Sequence, residues 1–172
     1  LDGAANASLA LFRIRDKNRA VPDDANPGRY VAQGEAQSQG VEAEVTGRLL
    51  PNWDVYAGYT YLQTRYLSDP TQEDQIVNPE SPKHLFKVWT TYRFTPDVLP
   101  GWRVGAGARV QSRTSRNNTS WQGGYAVVDA QVGYRVNRNL DASITVNNLF
   151  DRNYYSRVPS SYYSVYGEPR NV

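Results

Sequence analysis

The stretch QGVEAEVTGRLLPNWDVYAGYTYL, residues 39–62, decides the fold, because it predicts two strands joined by one tight turn at Pro51 and Asn52. Apolar and polar side chains alternate along both strands with the period of two that indicates a sheet with unlike faces. We call these the apolar face and the charged face. The apolar face takes Val41, Ala43, Val45, Leu49, Trp53, Val55, Ala57, Tyr59 and Tyr61, and the charged face takes Glu42, Glu44, Thr46, Arg48, Asp54, Gly58 and Thr60.

The rest of the chain repeats this pattern, which predicts an all-β fold, an antiparallel meander of about seven strands. Further strands are predicted at 5–15, 83–94, 102–111, 126–135 and 140–148. In 5–15 both the odd-numbered and the even-numbered positions include apolar residues, so the alternation leaves open which face Leu9 and Phe12 occupy. Elsewhere the apolar face continues through Phe86, Val88, Tyr92, Phe94, Trp102, Val104, Ala106, Ala108, Val110, Ala126, Val128, Ala130, Val132, Tyr134, Ala142, Ile144 and Val146.

The connections between these strands alternate strictly between short and long. Tight connections are predicted near residues 51–52, 95–101 and 137–139, and long polar loops at 16–36, 65–82, 112–124 and 151–168. All short turns therefore lie at one end of the sheet, which we call the short-turn end, and all long loops at the other, the loop end. In bacterial outer-membrane barrels the short turns are periplasmic and the long loops extracellular.

Charge placement favours a membrane barrel. In the six strands with clear parity, every charged residue of the strand interior lies on the charged face. An Arg or Lys on a lipid-facing barrel surface costs about 2–4 kcal/mol near the midplane, so a surface exposed to lipid would lack charges in this way. Trp53, Phe94, Trp102 and Tyr134 lie on the apolar face beside the short turns, as in a membrane-interface girdle. A soluble β-sandwich or a small ligand-binding barrel would also alternate.

Composition narrows the class further. The chain has 172 residues, a net charge of +2 and no cysteine, so thiolate metal sites and disulfides are excluded and nucleic-acid binding is not indicated. No apolar run approaches the roughly 18 residues of a membrane helix. The start, Leu1-Asp2-Gly3, resembles no signal sequence, and a strand that descends after the last predicted loop is expected beyond Val172. We therefore expect a segment of a larger barrel.

Several motifs resemble those of TonB-dependent receptors. Residues 147–155, NNLFDRNYY, resemble the signature that follows the penultimate strand of that family, and residues 166–171, YGEPRN, resemble the lead-in to its terminal strand. SPKH at 81–84 and SQGVEAEVTGRL at 38–49 are similar to patterns of the ferric-siderophore branch. The resemblance covers essentially the whole chain, 1–172, as the C-terminal segment of the barrel domain.

This resemblance implies a plugged outer-membrane barrel of about 22 strands that takes up ferric siderophores with energy passed through TonB. The implied partners are a ferric siderophore, outer-membrane lipid and the TonB complex, which is reached through an N-terminal plug that this sequence does not contain. No cofactor is expected, since iron is carried only as ferric-siderophore substrate. The implied function is binding and transport, not catalysis.

Two sets of candidate site residues follow from this interpretation. Aromatic and cationic side chains on the outer loops or strand tops can stack on chelator rings and neutralise anionic chelates, and the candidates are Tyr66, Arg113, Arg116, Trp121, Tyr155 and Tyr163. Charged residues of the inferred inner wall can pair either with the plug or with neighbouring strands, and these are Glu42, Glu44, Lys87, Arg93, Arg103, Arg109, Asp129 and Arg135.

Two other features have simpler interpretations. Gly105 and Gly107 lie within a strand and so lack the strand-turn-helix context of a phosphate site. We expect strand bending or close approach of the plug there. His84, the only histidine, follows Ser81 closely, but parity places it toward lipid with no third group to orient it. A small outer-membrane barrel with a structural, adhesive or lipid-hydrolase role remains the alternative.

Overall fold

The computed structural model describes residues 5–116, 120–157 and 165–172, which form one large antiparallel sheet and two small two-stranded sheets. The large sheet has seven strands in the order β1-β2-β3-β4-β5-β8-β9. The strands are β1 (Ala5–Pro22), β2 (Tyr30–Leu50), β3 (Trp53–Ser68), β4 (His84–Arg93), β5 (Trp102–Gln111), β6 (Thr114–Ser115), β7 (Trp121–Gln122), β8 (Tyr125–Arg135), β9 (Asp141–Val146), β10 (Tyr155–Arg157) and β11 (Val165–Tyr166). This confirms the predicted all-β meander. Among the described residues, no helix is long and apolar enough to cross a membrane.

The strand register confirms the two faces. Val45, Ala57 and Val88 lie in one row of directly opposed residues that continues into β5 and β8, and Glu44, Gly58 and Lys87 lie in the neighbouring row. Directly opposed residues of antiparallel strands share a face, so all residues of one row lie on the same face of the sheet. All eight predicted wall residues lie in rows of the charged face.

Register also settles the facing of the first strand, which the alternation had left open. Leu9 is opposite Ala43 and Leu11 is opposite Val41, so both belong to the apolar face. Phe12 is opposite Gly40 on the charged face, where a Cβ at Gly40 would come within 2.8 Å of the phenyl ring. The missing side chain at Gly40 therefore makes room for Phe12 and for the carbonyl oxygen of Tyr61, which would lie 2.1 Å from that Cβ.

The prediction of a long loop at 16–36 is wrong. β1 and β2 continue their pairing through Asp16 and Ala36 as far as Pro22 and Tyr30, and only residues 23–29 form the connection. The polar composition suggested a loop, but backbone groups in a ladder satisfy each other whatever the side chains are. A bulge at Asn18, with φ of 59°, absorbs the irregularity.

The other long connections are also more ordered than expected. β3 extends to Ser68, so the predicted loop at 65–82 begins several residues later. The loop at 112–124 contains the antiparallel β6–β7 pair, and the loop at 151–168 contains the β10–β11 pair. The tight connections at the short-turn end are as predicted.

The sheet has almost no interior of its own. The buried apolar residues are few, and the large side chains of the apolar face are exposed: Leu9 is 71%, Leu11 76% and Ile144 57% accessible. Soluble monomers rarely leave such a continuous apolar surface in contact with water. At the short-turn end Trp102 lies on Tyr134 with ring centroids 4.9 Å apart, and Tyr92 meets Phe94 edge to face at 5.3 Å.

Candidate ligand-binding surface and charged wall

A cation–aromatic cluster lies on the charged face near the loop end. The side chains of Tyr125 and Tyr154 stack with ring centroids 4.5 Å apart. The guanidinium carbon of Arg109 lies 5.9 Å from the ring of Tyr125 and 5.6 Å from that of Tyr154, and Nη2 donates to the Tyr154 hydroxyl at 3.3 Å. The Nε–H of Arg109 is buried and has no hydrogen-bond partner among the described residues. This donor is therefore available to an acceptor that is not part of the described chain.

A second group of rings adjoins the first. Arg113 lies over Trp121 at 4.7 Å, and the rings of Tyr155 and Tyr166 are 4.8 Å apart. Gln122 joins β7 to β10, since its Nε2 donates to the Tyr155 carbonyl at 3.0 Å and its Oε1 accepts from the Tyr155 amide at 2.6 Å. A hydrogen bond with Tyr166 raises the pKa of Tyr155 above its ordinary value.

These rings line a cavity of about 630 Å³, within the size range of small-molecule sites. The lining includes Trp121, Gln122, Tyr125, Tyr154, Tyr155 and Tyr166. Aromatic faces with a neighbouring guanidinium can bind planar, electron-rich and anionic groups. The surface is therefore suited to chelators with aromatic rings and negative charge.

The structure brings some of the predicted ligand residues together and separates others. Trp121, Arg113 and Tyr155 belong to this surface. Tyr66 lies elsewhere, on β3, with Arg19 over its ring at 5.6 Å. Arg116 lies in the β6–β7 connection, where its amide donates to the Ser120 carbonyl at 3.3 Å. Tyr163 falls outside the described residues.

Sequence reasoning missed Tyr125, Tyr154 and Tyr166. Tyr125 shares the parity of Asp129, so extending the predicted strand by one residue would have placed it on the charged face. No such signal existed for Tyr154 and Tyr166. They reach this surface through the path of the chain after β9, and no sequence periodicity predicts that path.

That path is fixed by the NNLFDRNYY segment. Asn148 is 3% exposed and has φ of 52°, and its amide donates to Asp129 Oδ1 at 2.8 Å. Its side chain donates to the carbonyls of Arg152 and Glu168, both at 3.0 Å, and accepts from the Arg152 amide at 2.8 Å. One side chain thus ties the segment after β9 both to the wall and to the YGEPRN segment.

Two three-residue ion clusters occupy the charged face at the short-turn end. Asp141 of β9 accepts two hydrogen bonds from Arg103 at 2.5 and 2.8 Å and lies 3.7 Å from Arg135. Asp54 of β3 similarly pairs with Arg93 and lies 3.5 Å from Arg48. Cross-strand pairing thus already engages Arg93, Arg103 and Arg135.

The remaining wall residues divide into two kinds. Arg109 and Asp129 are engaged by the tyrosines and by Asn148, as described above. Glu42, Glu44 and Lys87 are exposed and form no ion pair within the described parts of the chain. Glu44 and Lys87 are both opposite Gly58, which leaves open space between them.

The glycines at 105 and 107 lie beneath the side chain of Trp89, a contact that the sequence did not indicate. A Cβ at Gly107 would lie 2.4 Å from the indole of Trp89, and one at Gly105 would lie 2.9 Å from it. Trp89 therefore lies flat over both glycines on the charged face. A neighbouring side chain therefore occupies the space beside both glycines, and close approach of a plug there stays a prediction.

His84 lies among aromatic rings on the apolar face. Its Nδ1 is 2.8 Å from the Tyr59 hydroxyl, and its ring is 5.1 Å from that of Tyr61. Ser81 interacts instead with Asn78, at 3.0 Å. Among the described residues no carboxylate or serine hydroxyl bonds the imidazole, and no cluster of three metal-ligating side chains occurs there.

Comparison with known proteins identifies the family. Residues 1–149 match the model described as TonB dependent receptor-like, beta-barrel. The chain belongs to the TonB-dependent receptor family. The predicted resemblance of the chain to TonB-dependent receptors is thereby confirmed, and the family is one of outer-membrane receptors.

Individual TonB-dependent receptors are similar over the whole chain. The ferric-pyoverdine BN7/BN8 receptor of Pseudomonas putida is 38% identical over 173 residues, which are 100% of this chain and 20% of that receptor. The ferric-catecholate import receptor Fiu of Escherichia coli K12, in its closed form, superposes with a TM-score of 0.85 at 33% identity, covering 99% of this chain and 24% of that one. The siderophore receptor PiuA of Acinetobacter baumannii gives 0.85 at 32%, covering 99% and 25%. The chain thus spans about a fifth to a quarter of these relatives.

Proposed function

We propose that this chain is part of an outer-membrane receptor that binds ferric siderophores and transports them with energy delivered through TonB. Family membership supports this proposal, as do its relatives, which include ferric-pyoverdine and catecholate siderophore receptors. The exposed apolar face would contact lipid and the charged face would line the lumen. Binding and transport, without a catalytic step, would be its activity.

The proposal that this chain contacts the siderophore rests on the cation–aromatic cluster and the rings that adjoin it. Arg109, Arg113, Trp121, Tyr154 and Tyr155 lie on or beside it at the loop end, where an extracellular ligand would enter. Their rings suit the aromatic groups of catecholate and chromophore-bearing chelators, and the guanidinium groups suit the negative charge of such chelates. The other predicted contacts, Tyr66, Arg116 and Tyr163, are proposed as peripheral loop contacts.

Glu42, Glu44 and Lys87 are proposed as contacts of a plug. They are the predicted wall residues that neither an ion pair nor a side-chain hydrogen bond engages in the described chain, and Gly58 leaves room beside two of them. The paired arginines at the short-turn end would instead hold adjacent strands together. Plug release during transport would then break few strand-to-strand contacts.

Ligand binding to the receptor, expressed from its complete reading frame, tests the proposal. Quenching of tryptophan fluorescence by ferric catecholates and ferric pyoverdines gives the affinity, and uptake of radioactive iron gives transport. We expect R109A and R113A each to weaken binding by about 2- to 30-fold, because a cation placed against an aromatic ligand is typically worth about 0.5–2 kcal/mol. R29A, in the exposed 23–29 connection, is the matched control. Equal affinity in all four proteins would contradict this ligand surface, and absence of any siderophore-dependent uptake would contradict the function.

A further inference from the structure

A second, smaller cavity adjoins the ring-lined cavity on the charged face. Its volume is about 190 Å³, and its lining comes from β5, β6, β8, β10 and the connection between β3 and β4. The side chains that concern us here are Glu80, Arg109, Gln111, Thr114, Tyr125 and Arg157. We call this cavity the arginine chamber.

The two cavities have tyrosines in common but differ in the rest of their lining. Tyr125 and Tyr155 line both cavities, whereas Arg109 lines the arginine chamber and Arg152 lines the ring-lined cavity. One cavity thus offers mainly aromatic faces, and the other offers cations and small polar groups. A ring-bearing ligand and a small ion can therefore be bound side by side.

The arginine chamber has an excess of positive charge. Arg109 and Arg157 both line it, and the carboxylate of Glu80 lies 3.4 Å from Nε of Arg157. Glu80 therefore offsets the charge of one arginine and leaves that of the other. Ordered water satisfies polar groups in a cavity, but it does not offset a net charge.

Arg109 is the cation that this excess leaves, and it is held in place. Its guanidinium carbon lies 5.9 Å from the ring of Tyr125 and 5.6 Å from that of Tyr154, and Nη2 donates to the Tyr154 hydroxyl at 3.3 Å. The buried Nε–H has no acceptor within the described parts of the chain. Leaving a buried donor of a charged group unpaired is unfavourable, so the site favours an acceptor with negative charge.

We propose that the arginine chamber binds one small oxyanion of the carboxylate type, with the Nε–H of Arg109 as its central contact. Arginine pairs with the oxygens of such a group through charge-assisted hydrogen bonds. Thr114, which is 4% exposed, and Gln111 bring a hydroxyl and an amide to the same cavity, and both groups can donate. The chamber is smaller than the cavities that hold whole drug-sized ligands, so it admits a carboxylate but not a ferric chelate.

The carboxylate has two possible sources. It can be a free anion from solution, or it can be a substituent of a chelate that occupies the ring-lined cavity, because Tyr125 and Tyr155 border both cavities. Only the second source rests on the proposed function. With that source, the arginine chamber would distinguish ferric chelates that carry a carboxylate arm from those that do not.

Binding of trifluoroacetate to the receptor, expressed from its complete reading frame and purified in detergent, tests the site. Broadening of the fluorine nuclear magnetic resonance line gives the dissociation constant, and uncharged trifluoroethanol measures non-specific partitioning into detergent. R109Q removes the central cation, and E80Q removes the carboxylate beside Arg157. R152Q, the matched control, removes the same charge from the ring-lined cavity. Heat-modifiable migration in gel electrophoresis verifies that each variant has folded.

We expect wild type and R152Q to bind trifluoroacetate saturably and with equal affinity. R109Q should bind it about tenfold more weakly, the loss typical of one charge-assisted hydrogen bond. E80Q should bind it about two- to fivefold more tightly, because it releases Arg157 from an exposed ion pair. Equal affinity in wild type and R109Q, or no gain in E80Q, would overturn the site. General damage to the fold would not shift the two variants in opposite directions.

Competition with ferric chelates identifies the source of the carboxylate. If only a chelate with a free carboxylate displaces trifluoroacetate, and a ferric tris-catecholate does not, the chamber holds part of the chelate. If trifluoroacetate stays bound beside both chelates, the chamber holds a free anion.

Siderophore binding, measured by tryptophan quenching on the same samples, separates this inference from the proposed function. Normal siderophore binding without saturable binding of trifluoroacetate would refute the oxyanion site alone. Binding of trifluoroacetate that depends on Arg109, in a receptor that binds no siderophore, would refute the proposed function and leave the oxyanion site standing.

Discussion

The packing of Trp89 explains why glycine occupies two positions of the neighbouring strand. Its indole lies over Gly105 and Gly107, and a Cβ at either position would come within 3 Å of it. Glycine is normally unfavourable in a strand because it adds no packing and costs conformational entropy. Here the ring covers the space that two side chains would occupy, which compensates part of that cost.

Substitution of Gly107 by alanine should destabilise the sheet. The added methyl would meet the indole at 2.4 Å and force Trp89 out of its position. Overpacking of this kind costs about 1–3 kcal/mol. The measurement is the urea midpoint of unfolding in lipid vesicles. The control is G58A, whose new methyl meets nothing within 4 Å on the same face. A G107A midpoint equal to that of G58A would mean that Trp89 does not hold this position.

Asn148 should be the most sensitive residue after β9. Asn148→Ala removes three side-chain hydrogen bonds, each worth about 1 kcal/mol, and leaves buried backbone groups unpaired. We expect residues 149–157 to become susceptible to protease and the ring stack of Tyr125 and Tyr154 to loosen. Limited proteolysis followed by mass spectrometry detects the change. N153A, at an exposed neighbouring position, provides the comparison, and equal cleavage of the two variants would refute this role.

At the scale of elements, the loop end is built from extended strands and short strand pairs. β1 and β2 continue as a two-stranded ribbon up to Pro22 and Tyr30, and short pairs fill the later loops. Polar sequence predicted loops there because, outside the lipid, a strand needs no apolar face. Such a ribbon holds its tip more rigidly than a loop would, because its backbone hydrogen bonds are satisfied.

The connection after β3 should respond to pH through Asp69. The carboxylate accepts the amides of Thr71 and Gln72 and the Thr71 hydroxyl, and the Thr71 amide in particular lowers its pKa from 3.8. A lowered pKa in the folded state means that the stabilisation is present above pH 3.8 and is lost as the pH falls through the folded-state pKa. Hydrogen exchange of the Thr71 and Gln72 amides, corrected for its intrinsic pH dependence, should therefore accelerate as the pH falls below the folded-state pKa of Asp69. D69N should show no such transition, and a transition of equal size in D69N would contradict the assignment.

At the scale of the whole molecule, the decisive property is that one sheet presents two unlike surfaces and has little core between them. Most large apolar residues are exposed on one face, while ion clusters and tyrosine stacks occupy the other. Burial within the chain therefore supplies little of the stability. Contact of the apolar face with lipid would supply the missing burial.

Adjacent substitutions on β8 can test which face meets lipid. Ala130 belongs to the apolar face and Gln131 to the charged face. A130R should hinder assembly into the outer membrane, since an arginine near the bilayer midplane costs about 2–4 kcal/mol. Q131R should be tolerated. The amount of heat-modifiable receptor in outer-membrane fractions gives the answer, and the reverse pattern would show that the faces have been assigned the wrong way round.

The sequence by itself determined the parts of this protein that follow from alternation. Alternation fixes which side chains share a face wherever apolar and polar residues are segregated, as from Val41 to Tyr61, because successive side chains of a strand point to opposite faces. It therefore predicted the faces of six strands, the short turns and the face on which the eight predicted wall residues lie. The motif NNLFDRNYY indicated the family for a different reason, since specific side chains such as Asn148 are needed to turn the chain there.

Only the tertiary structure decided what depends on contacts between distant segments. The facing of Leu9 came from its register with Ala43, and the ribbon beyond Asp16 came from pairing that polar side chains do not signal. The ligand surface joins Arg109 of β5, Tyr125 of β8 and Tyr154 from beyond β9. Periodicity gives the direction of a side chain within its own strand, whereas these contacts depend on how the chain returns to the sheet after the strand ends.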